Sequence, residues 1–371
     1  MTEHEAFLNA VMERPDDDLP RLVYADYLEE TGDAVRAEFI RVQIERAQLQ
    51  EGDDRFEILL RREMELLGQG VGGSVPGVRG KQTFRRGFVE VLHTTAERLI
   101  AASQPVLLLA PIRELRISNA DNSIAELARV PGLDRIRTLD LRNNTFGTRD
   151  RLAHFFDAAP LRSMTDLAMK NNQLWSDDVE KLVDCRWASQ LRSLDLSGNA
   201  IGDAGMGVLA DAERLSELRR LSVRSDELDW RDRITSYGAE ELANSPGLHS
   251  LHTLDISGHL IRDWGIADLA SPSGLPNIRR IDASSNGVEF DSDFERLFRT
   301  PPRERMRAWI LSGSRIGMRA AEGFAVWDQL ATLDELILER CEWAPGAREL
   351  LAGSACAYKI RMGDPVAGEL A

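Results

Sequence analysis

Cysteine is scarce. Three residues, Cys185, Cys341 and Cys356, stand far apart in a chain of 371. That excludes a disulfide framework and a metal knuckle, and a reducing cytoplasm is the simplest compartment. Aromatic residues are only 6% of the chain, so its surfaces have few of the Trp and Tyr anchors that dominate tight interfaces. Long apolar runs are missing too. The stretch VLLLAPI at 106–112 is far too short to cross a bilayer. The opening residues MTEHEAFLNAVMERPDDD carry acids where a secretory signal needs a basic segment and an apolar run. Positive charge is outnumbered: 46 Lys and Arg against 61 Asp and Glu leave a net charge of −15. This argues against non-specific nucleic-acid binding and against an anionic membrane surface. No Pro- or Ser-rich tract is long enough to argue disorder.

What the chain has is a repeat. Its clearest copy is LRSLDLSGNAIGDAGMGVLADA, starting at Leu191, with apolar residues at positions 1, 4, 6 and 11 and Asn at position 9. The same frame starts at Ile112, Ile136, Met164, Leu218, Leu251, Ile278, Met306 and Leu333. Positions 4 and 6 read Leu115/Ile117, Leu139/Leu141, Leu167/Met169, Leu194/Leu196, Leu221/Val223, Leu254/Ile256, Ile281/Ala283, Trp309/Leu311 and Leu336/Leu338. Position 9 is Asn144, Asn172, Asn199 or Asn286 in four copies, and Ala120, Asp226, His259, Ser314 or Cys341 in the others.

Alternation over positions 3 to 7 predicts a short strand with one buried face. Pairing with the same strand of the next copy gives a parallel sheet. The position-9 side chain turns inward, where it can bond backbone groups that the turn leaves unpaired. Beyond position 11, Leu209, Leu242 and Leu269 follow Ile201, Ile234 and Ile261, with Gly205, Gly238 and Gly265 midway. That spacing predicts a helix packed close to the strand. The pattern resembles the leucine-rich-repeat family, in the long strand–helix variety typified by ribonuclease inhibitor, over about 112–343. The resemblance implies an α/β solenoid with parallel strands on a concave face and helices on a convex one. It concerns repeat type and does not imply ribonuclease binding.

The front reads differently. Thr2 and Glu5 form a capping-box pattern for a helix to about Met12. Asp18 caps a second helix, LPRLVYADYLEE, stopped by Gly32. Asp33 caps a third, AVRAEFIRVQIERAQL, and Asp53 a fourth, to Leu67. The run PDDDLPRLVYADYLEETGDAVRAEFIRVQ, 15–43, resembles the short repeat-companion domain of large bacterial paralogue families, with Tyr27 where Trp is expected. That resemblance implies a bacterial source and an architecture, not a chemistry. The expected organisation is a helical domain over 1–67, a Gly-rich linker over 68–80, a capping strand and helix over 81–111, nine repeats over 112–345, and a C-terminal cap and tail over 346–371. In the cap, RRGFVEVLHTT (85–95) reads as a strand, followed by a helix through about Pro105. At the far end, a helix around 346–353 and the strand-like AYKIRM (357–362) would close the stack.

Chemistry is hard to find. The glycines at 68–73 lack the Lys-Ser/Thr of a phosphate loop and read as linker. His249, His252 and His259 are close in sequence, but only His259 holds an inward position, so they should diverge rather than bind a metal. Cys341 reads as a core residue. The acids Asp16–Asp18, Asp26, Glu29 and Glu30 form either a docking surface or a solvated face.

Position 5, on the outward face, holds Asp195, Asp255 and Asp282, and Asp255 and Asp282 should be neighbours across adjacent strands. Arg220, Arg224 and Arg280 flank that column and could anchor a carboxylate or phosphate. Trp230 lies in a six-residue insertion in the fifth repeat and is a candidate contact residue. Ile310 and Ile337 put apolar groups where other repeats put Asp, to be covered by the tail 363–371 or by a partner. Together these residues imply no cofactor and no metal. The expected function is a non-enzymatic, monomeric, cytoplasmic scaffold binding a protein partner on the concave face, with no nucleic-acid or membrane ligand. The alternatives are a GTPase-activator-like regulator of a nucleotide-binding enzyme, or a metal-dependent hydrolase using Asp255 and Asp282.

Overall fold

The computed structural model describes residues 2–71, 75–146, 149–225, 232–290 and 295–363. It forms two compact units, Met1–Asp140 with Ala158–Met164, and Leu141–Asp157 with Thr165–Ala371.

The first unit opens with helices α1 (Glu3–Glu13), α2 (Leu19–Glu30), α3 (Ala34–Ala47) and α4 (Asp54–Gly68). Thr2 and Glu5 close the expected capping box at 3.2 and 2.8 Å, and the Asp33 carboxylate accepts from the Arg36 N–H at 3.1 Å. Two expected caps are absent. Asp18 makes no capping bond, and its carboxylate pairs instead with Arg86 at 3.3 Å, while Asp17 accepts from the Leu19 N–H at 2.9 Å. Asp53 accepts from the Gln50 N–H at 3.1 Å, a bond of the preceding turn rather than of the helix. In both cases a competing donor lies outside the helix, and local capping preference loses to it.

Residues 85–95 are not one strand. They belong to an antiparallel hairpin of β1 (Lys81–Arg85) and β2 (Phe88–Thr95), reversed at Arg86 and Gly87, whose φ values are +49° and +86°. Two consecutive positive φ angles make the tight turn that suits the strand twist. The following helix α5 (Ala96–Ile100) is shorter than expected. Strand β3 (Glu114–Ser118), helix α6 (Ile124–Leu127) and strand β4 (Thr138–Asp140) complete the unit, in strand order β1-β2-β3-β4.

The front helices are fastened to the hairpin. A Cβ on Gly87 would meet Ile40 Cγ1 at 2.4 Å, so only glycine lets α3 approach this closely. The Gly87 N–H donates to Gln43 Oε1 at 2.7 Å. Arg21, fully buried, donates to Glu90 at 2.7 Å, to the Pro15 carbonyl at 2.7 Å and to the Arg86 carbonyl at 3.1 Å. Its guanidinium lies 5.1 Å from the Phe88 ring centroid. Burial pulls Arg21 below the usual guanidinium value, and Glu90 opposes that. Phe88 itself shares a core with Val11, Tyr24, Ala25 and Ile40.

The second unit carries the repeats as strands β5 (Asp166–Ala168), β6 (Ser193–Asp195), β7 (Arg220–Ser222), β8 (Thr253–Asp255), β9 (Arg280–Asp282), β11 (Ala308–Ile310), β13 (Glu335–Ile337) and β15 (Ile360–Arg361). They pair in that order, all parallel. Between strands come α7 (Arg149–Ala158), α8 (Ser176–Asp184), α9 (Gly202–Asp211), α10 (Ser236–Ala243), α11 (Arg262–Ala270), α12 (Glu295–Arg299) and α13 (Met318–Ala325), with α14 (Ala347–Ala352) after β13. A second small parallel sheet, β10 (Glu289–Phe290), β12 (Arg315–Ile316) and β14 (Glu342–Trp343), was not expected from the repeat. It arises where the last repeats run extended past position 9.

Every residue at positions 4 and 6 of the nine repeats is at most 3% exposed. A Cβ on Gly205 or Gly265 would sit 2.7 or 2.8 Å from the isoleucine just before its own helix, and one on Gly238 would sit 2.6 Å from Asp203 of the preceding repeat.

Replacing Arg21 by Met should loosen the front helices from the hairpin. It strips Glu90 of one buried partner and takes the Arg21 donor from the Arg86 carbonyl, while Arg86 still donates to Pro15 and Glu90, at a cost of about 3 kcal/mol. Hydrogen exchange should accelerate across α1–α3 and leave β6–β9 unchanged. Adding Glu90→Leu should recover much of the loss, and exchange as slow as wild type in the single variant would refute this account.

Candidate functional site

Each repeat strand buries positions 4 and 6 and turns positions 3, 5 and 7 to the open face of the sheet. At position 8 the chain must then leave the sheet, and it does so through left-handed backbone. The φ values are +57° at Asn171, +67° at Gly198, +81° at Gly258, +56° at Ser285, +71° at Gly313 and +55° at Arg340. Asn and Gly tolerate this conformation best. At Gly258 a Cβ would lie 2.0 Å from the Ser225 carbonyl oxygen, so adjacent turns stack in near contact.

Position 9 then points inward. The Asn199 carboxamide accepts the N–H groups of Asn172 and Leu174 at 2.8 and 3.1 Å, and donates to the Met169 and Leu196 carbonyls at 2.8 and 2.7 Å. Asn172 in turn accepts the Asn144 N–H at 2.8 Å, while its own Nδ2 finds no partner among the described residues. His259 fills the same place with a ring: Nδ1 accepts from the Ile234 N–H at 3.1 Å, and Nε2 lies 2.6 Å from the Val223 carbonyl. That pairing requires a neutral imidazole protonated at Nε2. Ser314 and Cys341 both donate to the Leu311 carbonyl. Asp226, at this position in the fifth repeat, lies outside the described residues, as does Trp230.

On the open face the position-5 acids are held rigidly. Ser222, Asp255 and Asp282 are in register on adjacent strands. Asp255 Oδ1 accepts from both the N–H and the hydroxyl of Ser257, at 3.1 and 2.7 Å. Asp282 does the same with Ser284, at 3.0 and 2.7 Å. Asp195 accepts from the Ser197 N–H at 3.0 Å, and the Ser197 and Ser222 hydroxyls meet at 2.8 Å. Burial pushes the Asp255 carboxyl above its usual value, opposed by Ser257.

Among the described residues no group of three or more His, Cys, Asp or Glu is arranged to hold a metal ion. His252 Nδ1 lies 2.6 Å from the Ser250 carbonyl and His249 offers its backbone carbonyl to Asn277, so these two have local roles.

The three arginines are divided. Arg220 pairs with Asp166 at 3.0 Å and Arg280 with Glu335 at 3.1 Å, both on the position-3 row. Arg224, at position 7, belongs to a groove of about 540 Å³ along the edge where the strands turn. That groove runs over the fifth to ninth repeats. Its floor is small, with Ser257, Gly258, Ser284 and Gly313, and Arg233 and Arg340 join Arg224 in lining it. Ile310 and Ile337 are buried, at 7% and 6% exposure; of the tail expected to cover them, 364–371 lies outside the described residues. The front acids are largely exposed, yet paired: Asp16 meets Arg113 and Arg137, Asp18 meets Arg86, and Asp26 and Glu29 meet Arg41.

Sequence reasoning missed the groove residues Arg233, Ser225, Ser285, Ser312 and Arg340. The signal was present in the position-8 column, which reads Asn119, Asn143, Asn171, Gly198, Ser225, Gly258, Ser285, Gly313 and Arg340. A run of residues suited to left-handed backbone marks the edge where the face ends. Also missed was a second groove of about 820 Å³, lined by Trp175, Tyr237 and Arg262.

Residues 189–210 match the family model for the leucine-rich repeat. Among solved structures, an internalin (inlF) from Listeria monocytogenes aligns at 14% identity with a TM-score of 0.35, covering 75% of this chain and 87% of its own. The yeast Rad7 and Elc1 complex aligns at 12% identity with a TM-score of 0.38, covering 94% and 96%. No curated protein matches the chain.

Burial holds the His259 imidazole down at about 4, from an ordinary value of 6.5. Between those values the unfolded chain binds a proton that the folded chain refuses. Stability present at neutral pH is therefore lost as pH falls from about 6.5 towards about 4, by up to about 3 kcal/mol. In His259→Asn, which carries the residue four other repeats use, that slope should vanish. Urea unfolding of both proteins at pH 7 and pH 4.5 measures it, and equal slopes would remove His259 as the cause.

Proposed function

We propose that this leucine-rich-repeat protein is a non-catalytic scaffold whose partner is a protein seated on the open face of its parallel sheet. The observation that carries this reading is the fixed state of that face. Asp195, Asp255 and Asp282 are each locked by the serine two residues on, and Arg220 and Arg280 are tied to Asp166 and Glu335. A surface already held in one arrangement loses little side-chain entropy on binding. Three-residue strands repeated in register also give a regular binding face. The position-5 column and the position-7 edge supply polar, directional contacts, which favour specificity over raw affinity.

A photo-reactive phenylalanine analogue placed at Ser222, on the open face, should cross-link the partner in cells of the source organism. The same analogue at Glu180, an exposed residue of α8, should give no such product. Cross-linking from Glu180 alone would move the partner to the helical side and end this reading.

A further inference from the structure

We infer that the strand-entry edge of the fourth to seventh repeats holds an extended acidic segment of the protein partner, with one carboxylate between Arg192 and Arg219 and a second on Arg279. The inference rests on the scaffold reading above and names the chemistry that the edge of that face takes.

Position 2 of each repeat is where the chain enters its strand. In the second unit the N–H groups of positions 2 and 3 both donate to the position-2 carbonyl of the repeat before. The bonds are 2.9 and 3.0 Å onto Arg192, 2.9 and 3.0 Å onto Arg219, and 2.8 and 3.0 Å onto His252. Position-2 residues are thereby stacked one per strand, about 4.8 Å apart. From the fourth repeat the column reads Arg192, Arg219, His252, Arg279, Arg307 and Asp334. Arg192, Arg219 and Arg279 are exposed, and their guanidinium groups make no hydrogen bond or ion pair among the described residues. Arg307 is committed, its Nη1 donating to the Glu304 and Thr332 carbonyls at 2.9 and 3.1 Å. The position-3 arginines, Arg220 and Arg280, already hold Asp166 and Glu335. The exposed acids Glu217 and Asp334, beside or within the column in sequence, form no ion pair among the described residues.

The first unit shows what such a pair of arginines does. Arg113 and Arg137 hold position 2 of the first two repeats, joined by the same backbone bonds, 2.8 and 3.0 Å onto the Arg113 carbonyl. Both meet one carboxylate. Arg137 Nη1 donates to Asp16 Oδ1 at 2.9 Å, and Arg113 Nη2 lies 3.9 Å from Oδ2. Burial and then the Arg137 charge pull Arg113 below the usual guanidinium value, and Asp16 opposes both. Like charges on neighbouring strands repel, and a carboxylate between them removes that cost. Arg192 and Arg219 repeat the arrangement in the second unit, where no described residue brings the acid. In a chain of net charge −15, this basic edge is where an acidic segment is least repelled, and complementary charge also fixes its register.

Spacing gives the pattern of the segment. From midway between Arg192 and Arg219 to Arg279 is about two and a half strand spacings, about 12 Å. An extended chain covers that in about four residues at about 3.3 Å each. Residues four apart in an extended chain point to one side, so the segment carries acids at i and i+4.

The test uses the full chain and labelled nonapeptides of Gly and Ser with Asp at positions 3 and 7, followed by fluorescence anisotropy at low and at physiological salt. This peptide should bind about tenfold more tightly than peptides with either Asp changed to Asn, and should weaken with salt. Arg219→Gln should cost it about tenfold and should unfold no lower than wild type, because the residue is exposed and its charge is repelled by Arg192. Arg279→Gln should also cost the two-acid peptide about tenfold and leave one of the single-acid peptides unaffected. Lys181→Gln, at an exposed residue of α8, should change nothing. Equal binding of acidic and neutral peptides would overturn the inference, as would wild-type affinity in Arg219→Gln or no binding at all. So would a single-stranded oligonucleotide that binds more tightly than the peptide and depends on Arg219, since the edge would then read phosphates. A Ser222 cross-link that persists through any of these would leave the broader scaffold reading in place.

Discussion

Backbone satisfaction at the position-9 turn is the constraint on which the repeats depend. A chain that makes a three-residue strand and then dives under its neighbour leaves buried N–H and C=O groups with no ladder to join. Each such group costs about 1–3 kcal/mol if left alone. Asn solves this best because one short carboxamide both accepts and donates. Asn199 alone serves five backbone groups from two repeats. His259, Ser314 and Cys341 keep a hydrogen bond there without the asparagine, whereas Ala120 in the first repeat brings no side-chain donor or acceptor. The first three satisfy fewer groups or, in the imidazole, bring a proton-dependent liability. The bonds of Asn199 to Met169, Asn172 and Leu174 and those of His259 run between repeats, so they also fix the register that makes the open face a surface.

Why positions 4, 6 and 9 were legible and the groove was not follows from the same geometry. Burial acts on every copy alike, so at positions 4 and 6 it writes an apolar column that survives in nine units, while at position 9 Asn recurs in four. Position 8 is under a conformational constraint instead, and Asn, Gly, Ser and Arg satisfy it with different side chains. Its column looks irregular to anyone reading hydrophobicity. The front caps failed for another reason. Asp18 is a good cap in isolation, yet Arg86 lies 68 residues away and reaches it first; no local pattern contains that information. The hairpin was read as one strand because RRGF carries no Asn-Gly signal, although Gly87 is required there by both its φ and its contact with Ile40.

Where the repeat ends or falters, buried arginines do the joining. Arg21 stitches the front helices to β2 through two backbone carbonyls and Glu90. Arg303 does the equivalent at the end of α11. It is 6% exposed and donates to the carbonyls of Ala270, Ser271, Gly274 and Leu275, and burial pulls it down to about 10. The negative end of the helix dipole offsets part of the cost of burying that charge. Both sites bundle carbonyls that no strand or helix can use, and a five-donor fork collects them where lysine has three rotating protons on one atom.

The open face and the joints thus answer one problem in opposite ways. At the joints, donors from distant parts of the chain converge on surplus carbonyls, although Arg21 Nε finds no partner among the described residues. On the open face the same need is met locally: Asp255 and Asp282 each take the N–H and the hydroxyl of the serine two residues on, and Arg220 and Arg280 pair with Asp166 and Glu335 along the position-3 row. Long-range donors hold the joints together, whereas short-range pairs give the open face one arrangement.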